Sequence, residues 1–209
     1  MSITIILIIV TCLISYQAFN DASMKSKLLH RPYLEHKDKE YYRLLSSGFI
    51  HANWLHLGLN MYVLWLFGEQ VEIRFVGLFG ALQGRIFYLV MYLLTIVAAS
   101  LYTHYKHKDN SYYAALGASG ATSGVLFSYI LFNPWQGLMI FPIPFFIPAV
   151  ILGFLYLLYS SWASKKSMDN IGHDAHFYGA IFGFLFTIAL DPAILANFFT
   201  RIMHESPYW

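Results

Sequence analysis

The chain has 209 residues, about one domain's worth, and 58% of them are hydrophobic while 11% are charged. A soluble domain carries about 25% charged residues, so a water-soluble globule and a disordered chain are both excluded, and a net charge of +2 offers no basic field to recruit nucleic acid. The single cysteine, Cys12, excludes an intramolecular disulfide framework and a cysteine-rich zinc site. The class that fits is an all-α polytopic membrane protein, one membrane domain over residues 1–209.

A bilayer crossing takes about 20 mostly apolar residues. The first such run is 3–19, uncharged throughout. No Lys or Arg precedes it, as one would in a signal peptide, so a retained helix is expected. Residues 21–43 hold six Lys/Arg and four Asp/Glu, a polar loop. A second span is expected over 50–68, and Glu69, Glu72, Arg74 and Arg85 mark a connecting loop after it. The third runs over 86–105. From 110 to 164 there is no formal charge, too long a run for one helix. Asn133-Pro134-Trp135-Gln136-Gly137 is a turn signal in its middle, and Pro142, Pro144 and Pro148 show where the next helix restarts. Spans four and five therefore fall at 117–132 and 145–163. Lys165, Lys166 and Asp169 form the next loop, and span six covers 172–190, closed by Asp191-Pro192. Residues 191–209 read as an interfacial tail.

Six helices alternate in direction, so spans two, four and six run parallel. Polar side chains inside a span cost free energy and are usually functional, and they gather in these three. Span two holds His51, His56 and Asn60; span four opens with Gly117-Ala118-Ser119-Gly120; span six opens with His173-Asp174-Ala175-His176. Each set lies in the first half of its helix, so all three sit near one membrane face. At 1.5 Å per residue, Asn60 lies roughly 13 Å deeper than His51. His56 and Asn60 are four apart and share a helical face. Gly120 and Gly124, and likewise Gly179 and Gly183, are four apart, the small-residue spacing that lets membrane helices touch backbone to backbone. Packing these two stripes brings the Ser119 hydroxyl beside the His176 imidazole, the arrangement of an activated nucleophile. His56, Asn60 and backbone N–H groups at the start of span four are candidate donors to a developing oxyanion.

Each feature alone has a plainer reading. Gly-x-Ser-Gly in a small-residue helix serves packing, and a membrane histidine serves a bond to a neighbouring helix. His51 and His56 are five apart, poor for a shared metal, and no His-Glu-x-x-His occurs. Asp174 is two residues before His176, so it faces elsewhere and is a poor third member of a triad. Ser123 lies on the Ser119 face as a rival nucleophile. The coincidence of all the polar sets at one depth favours the catalytic reading.

In these motifs the sequence resembles the rhomboid intramembrane serine proteases over about 42–183. His51-x4-His56-x3-Asn60, Gly117-Ala118-Ser119-Gly120 and Ala175-His176-x2-Gly179-x3-Gly183 are similar to the family's ordered motifs, and Tyr42-Arg43 falls where many members carry an aromatic-Arg pair. The resemblance implies a rhomboid-like bundle of six transmembrane helices; as a departure from larger members, no soluble N-terminal domain or seventh helix is expected, which makes this the minimal six-helix form. It implies Ser119 as nucleophile and His176 as general base of a dyad. His56, Asn60 and the Ser119 N–H would form the oxyanion hole, with His51, Gly117, Gly120, Gly179 and Gly183 supporting the site. The implied activity is a serine endopeptidase that cleaves transmembrane segments of other membrane proteins without metal or cofactor. Its partners would be those substrates and membrane lipid, with span five as a lateral gate and the first loop partly in the membrane. One departure stands out. Some members carry an aromatic residue four after the serine, stacked on the histidine; here that residue is Ser123, so the stacking partner is absent or comes from elsewhere.

The resemblance also implies a multi-pass protein of a cell membrane, of bacterial inner-membrane type, with both termini cytoplasmic. The charges oppose that orientation: ten Lys/Arg lie in loops one, three and five, and three (Arg74, Arg85 and Arg201) on the other side. Two alternative functions are a catalytically inactive relative that binds membrane helices and a polar-cored transporter. The first would have lost the serine or the histidine, and the second commonly shows an internal repeat; neither feature is present.

Overall fold

A computed structural model describes residues 1–139, 145–166 and 172–207. The expected restart at Pro142 and Pro144, the loop residue Asp169 and the end of the tail lie outside them. The described chain is mostly helical. It runs α1 (Ile3–Asn20), three short helices α2 (Ala22–Leu28), α3 (Pro32–Lys37) and α4 (Arg43–Ser46) with a 3₁₀ turn, then α5 (Trp54–Phe79), α6 (Ala81–His107) and α7 (Ser119–Phe132). A two-residue pair, β1 (Gly137–Leu138) with β2 (Ile147–Pro148), precedes α8 (Ala149–Lys166), α9 (His173–Leu190) and α10 (Ala193–His204). By length and apolarity α1 and α6 can each cross a membrane, and α9 with α10 makes a third when that pair, bent by 110°, is counted as one span. Large apolar side chains such as Leu13, Leu59, Trp65, Leu94, Phe154 and Leu185 point outward, which is costly in water and natural against lipid.

The helix limits differ from the expected spans where charges were read as loop markers. Glu69, Glu72 and Arg74 lie inside α5, which ends only at Phe79, and Arg85 lies inside α6; the turn between the two is Gly80 alone, at φ 84°. The charges are tolerated because they have partners. Glu72 is buried and caps the start of α1, accepting from the backbone N–H of Ile3 and Thr4 at 2.9 Å each and from the Thr4 hydroxyl. Ser2 bonds Glu69, and Arg85 Nε stands 3.6 Å from Glu72. At the other end, α8 starts at Ala149 rather than 145. Its first N–H groups reach back to the Gln136 and Pro134 carbonyls at 2.9 Å, and it continues through Lys166.

The first loop is folded onto the bundle by two buried charges. Arg43 donates to the carbonyls of Ser26, Lys27 and Leu29 at the end of α2, and to Glu40 at 2.6 Å. Glu35, fully buried, meets His30 Nδ1 at 2.6 Å and His104 Nδ1 at 2.7 Å and accepts from the Arg31 N–H, tying α3 to α6. Burial pushes the Glu35 carboxyl up, but the two imidazoles and the Arg31 N–H outweigh it and hold the pKa below the ordinary carboxylate value. The folded pKa is the lower one, so this contribution is present above the ordinary carboxylate range and is lost as pH falls through the depressed value. Glu35→Gln should destabilise the protein at neutral pH by about 1.5–3 kcal/mol. It should also flatten the loss of stability on acidification, as thermal unfolding over a pH series would show.

Candidate active site

α7 is the central helix, packed against α5, α6, α8, α9 and α10. Its 14 residues rise about 21 Å, less than the roughly 30 Å hydrocarbon core. Ser119 is its first residue and is half-buried. The segment before it is shaped by Gly117, at φ 118°, where a Cβ would stand 2.7 Å from His56 Cε1 and 3.0 Å from Nε2. The left-handed backbone and the imidazole against the α-carbon both require glycine here.

α5 and α7, two of the three expected helices, supply most of the walls of the site and Tyr156 of α8 the rest, while His51, expected inside span two, lies in the turn before α5. His51 is fully buried between α1 and the start of α7. Ser15 Oγ donates to the Phe49 carbonyl at 3.0 Å and stands 2.9 Å from His51 Nδ1, while His51 Nε2 accepts from the Ala118 N–H at 3.3 Å. Both contacts are satisfied by one neutral tautomer, with the proton on Nδ1. His51 therefore pins the residue before Ser119. His56 has the other tautomer: its Nδ1 accepts from the Ala52 N–H at 3.4 Å, which leaves Nε2–H beside Gly117 as a donor. Asn60 donates one N–H to the His56 carbonyl at 2.9 Å and accepts from Thr122 Oγ1 at 3.3 Å. Among the described residues its second N–H bonds nothing. Asn60, Ser119, Thr122, Ser123 and Tyr156 line a cavity of about 200 Å³.

α9 meets α7 along the two glycine stripes. A Cβ on Gly179 would land on the Gly120 carbonyl oxygen, one on Gly183 on the Gly124 carbonyl, and one on Gly124 at 2.9 Å from the Gly179 oxygen. A Cβ on Gly120 would stand 3.3 Å from the carbonyl oxygen of Ala175. Gly120 follows Ser119 and Ala175 precedes His176, so the tightest part of the interface brings their two chain segments together. Asp174 points away, bonding Ser164 and, at 2.8 Å, Lys106 Nζ.

Two site residues were missed by sequence reasoning. The one proton of Thr122 Oγ1 is shared between the Ser119 carbonyl, at 3.1 Å, and Asn60 Oδ1, at 3.3 Å; its place three after Ser119 is the available signal. Tyr156 of α8 stands 2.5 Å from Ser123 Oγ, and its ring lies nearly parallel to the His176 imidazole, 18° apart with centroids at 6.1 Å. Nothing in the apolar run 145–163 distinguishes this tyrosine. Ser123 donates its one proton to the Ser119 carbonyl at 2.7 Å, so Tyr156 is the donor to Ser123. Ser123 is thereby buried and engaged on both sides.

The rhomboid domain family matches residues 38–192. Three relatives illustrate the range. The chain is 29% identical to Rhomboid protease GlpG of Haemophilus influenzae over 76% of this chain and 74% of that protein. It is 28% identical to Rhomboid-like protein 11, chloroplastic, of Arabidopsis thaliana over 72% and 53% respectively. Against Rhomboid protein 1, mitochondrial, of Saccharomyces cerevisiae it is 27% identical over 81% and 46%. The chain thus spans about half the length of the two organellar relatives. With the family match covering most of the sequence and including all three motif-bearing helices, the chain belongs to the rhomboid family.

Proposed function

We propose that the protein is an intramembrane serine endopeptidase in which Ser119 and His176 act as a dyad on transmembrane segments of other membrane proteins. The observation that carries this reading is the glycine-to-backbone seam of α7 and α9, which brings the Ser119 and His176 segments together while Ser119 lines a cavity with Asn60 and Thr122. Ser119 Oγ attacks the scissile carbonyl carbon while His176 takes the hydroxyl proton, and the carbonyl oxygen becomes an oxyanion. Three donors serve that oxygen: His56 Nε2–H, the second N–H of Asn60, and the Ser119 N–H, one of the unpaired groups at the start of a helix. Collapse breaks the peptide C–N bond, and His176 returns the proton to the leaving amine. Water then cleaves the acyl-enzyme with His176 as base. His51 keeps Ala118, and with it Ser119, in place. Six helices, α1 and α5 to α9, would cross the membrane, with α10 on its surface and the first loop at the interface. The setting would be a cell membrane of bacterial inner-membrane type, with membrane-protein substrates and lipid as partners. The similarity to a relative named a protease supports the reading.

Labelling of the purified chain by a fluorophosphonate, lost in Ser119→Ala, tests it directly. An inactive helix-binding relative or a transporter would give no Ser119-dependent labelling. The oxyanion assignment makes a second prediction. His56→Ala and Asn60→Ala should lower kcat by up to about 10²–10³-fold and affect KM much less, because these donors matter most in the transition state. The double variant should lose less than the product of the two single losses. Unchanged turnover in both single variants would return His56 and Asn60 to a packing role.

A further inference from the structure

A general base must itself be held in orientation by a third group. In this chain the usual candidates are spent or too short. Asp174 is bonded to Lys106 and Ser164 on another side of α9, and position 123, one turn after Ser119, carries a serine. Tyr156 reaches the imidazole from a different helix. Its ring covers the His176 imidazole at 6.1 Å and 18°, within the range of offset aromatic stacking. Its hydroxyl is anchored on Ser123 Oγ, which is anchored in turn on the Ser119 carbonyl. The tyrosine is therefore fixed to α7 at one end and to α9 along its face, and His173 meets the same imidazole edge-on at 5.9 Å.

We infer that Tyr156 is a positioning residue that holds His176 in register with Ser119, and that α8 thereby becomes part of the dyad's alignment. The inference rests on the protease reading above. α8 is a peripheral helix that exposes Phe154, Leu155, Leu158, Tyr159 and Trp162. The alignment of the dyad is linked to the seating of the helix beside the cavity.

The test uses the full chain and two readouts, the rate of Ser119 labelling by a fluorophosphonate and steady-state cleavage of a reconstituted transmembrane substrate. Tyr156→Leu should lower labelling and kcat by about 10–100-fold, the cost of a small misplacement of a reacting group, with KM little changed. Tyr156→Phe, which keeps the ring and loses the hydroxyl, should fall between Leu and the native residue. Ser123→Phe added to Tyr156→Leu returns a ring to the imidazole from α7 and should recover much of the loss. If Tyr156→Leu lowers the unfolding temperature, Tyr156→Met serves in its place. A Leu or Met variant that labels and cleaves at the native rate overturns the inference and leaves the protease reading standing. So does a Phe variant as impaired as Leu, since the ring would then contribute nothing. A native chain that neither labels nor cleaves removes the protease reading itself.

Discussion

Ser119→Ala and His176→Ala are each expected to lower cleavage of a reconstituted transmembrane substrate by roughly 10⁴-fold or more, and the double variant to lose little beyond either one. Members of a catalytic unit act together, so removing one forfeits most of what the unit does. Ser123→Ala is the internal control. Its hydroxyl is buried, donates to the Ser119 carbonyl at 2.7 Å and receives Tyr156, so it is not placed to attack a substrate. Ser123→Ala removes both neutral hydrogen bonds, worth about 1 kcal/mol each, so its loss should stay within about 30-fold, far short of the loss in Ser119→Ala. Both serines line the cavity with Asn60 and Thr122, but Ser119 is only half-buried where Ser123 is buried. An active Ser119→Ala beside an inactive Ser123→Ala would reverse the assignment. Thermal unfolding of each variant near the native temperature would show that loss of activity is not loss of fold.

Much of this site is legible in the sequence because its determinants are local. The four-residue spacing of His56 and Asn60 fixes a shared face whatever the rest of the fold does, and the structure finds the Asn60 amide on the His56 carbonyl. The Gly120/Gly124 and Gly179/Gly183 stripes foretell which helices touch. Features that depend on a distant partner are not legible. Glu69 and Glu72 look like a loop because an isolated carboxylate inside a membrane helix is costly; their partners, Ser2 and the start of α1, are more than sixty residues away in sequence. Tyr156 has the same character. One tyrosine among the apolar residues of α8 becomes a site residue only through Ser123 and His176 on two other helices. Glu35 reads as one charge of a mixed loop until His104, from α6, is placed beside it.

Gly179→Leu should both destabilise the protein and remove its activity, because the seam it belongs to admits no side chain at all. A Cβ at position 179 would occupy the place of the Gly120 carbonyl oxygen, a backbone atom that no rotamer change can move. The helices must separate or slide. Overpacking a tight contact costs typically about 1–3 kcal/mol, and this site belongs at the upper end because the obstacle is rigid. Activity should fall further than stability accounts for, since about 1 Å of displacement between reacting groups can cost 10²-fold in rate. Gly120→Leu should behave alike, its Cβ meeting Ala99 Cβ at 2.6 Å. The contrast is Gly77→Ala in α5, where a Cβ would meet nothing within 4 Å. There alanine's better helix propensity should leave stability equal or higher by up to about 1 kcal/mol, with cleavage unchanged. Unfolding stability equal to that of the native chain in both Gly179→Leu and Gly120→Leu would show that α7 and α9 do not meet along these glycines.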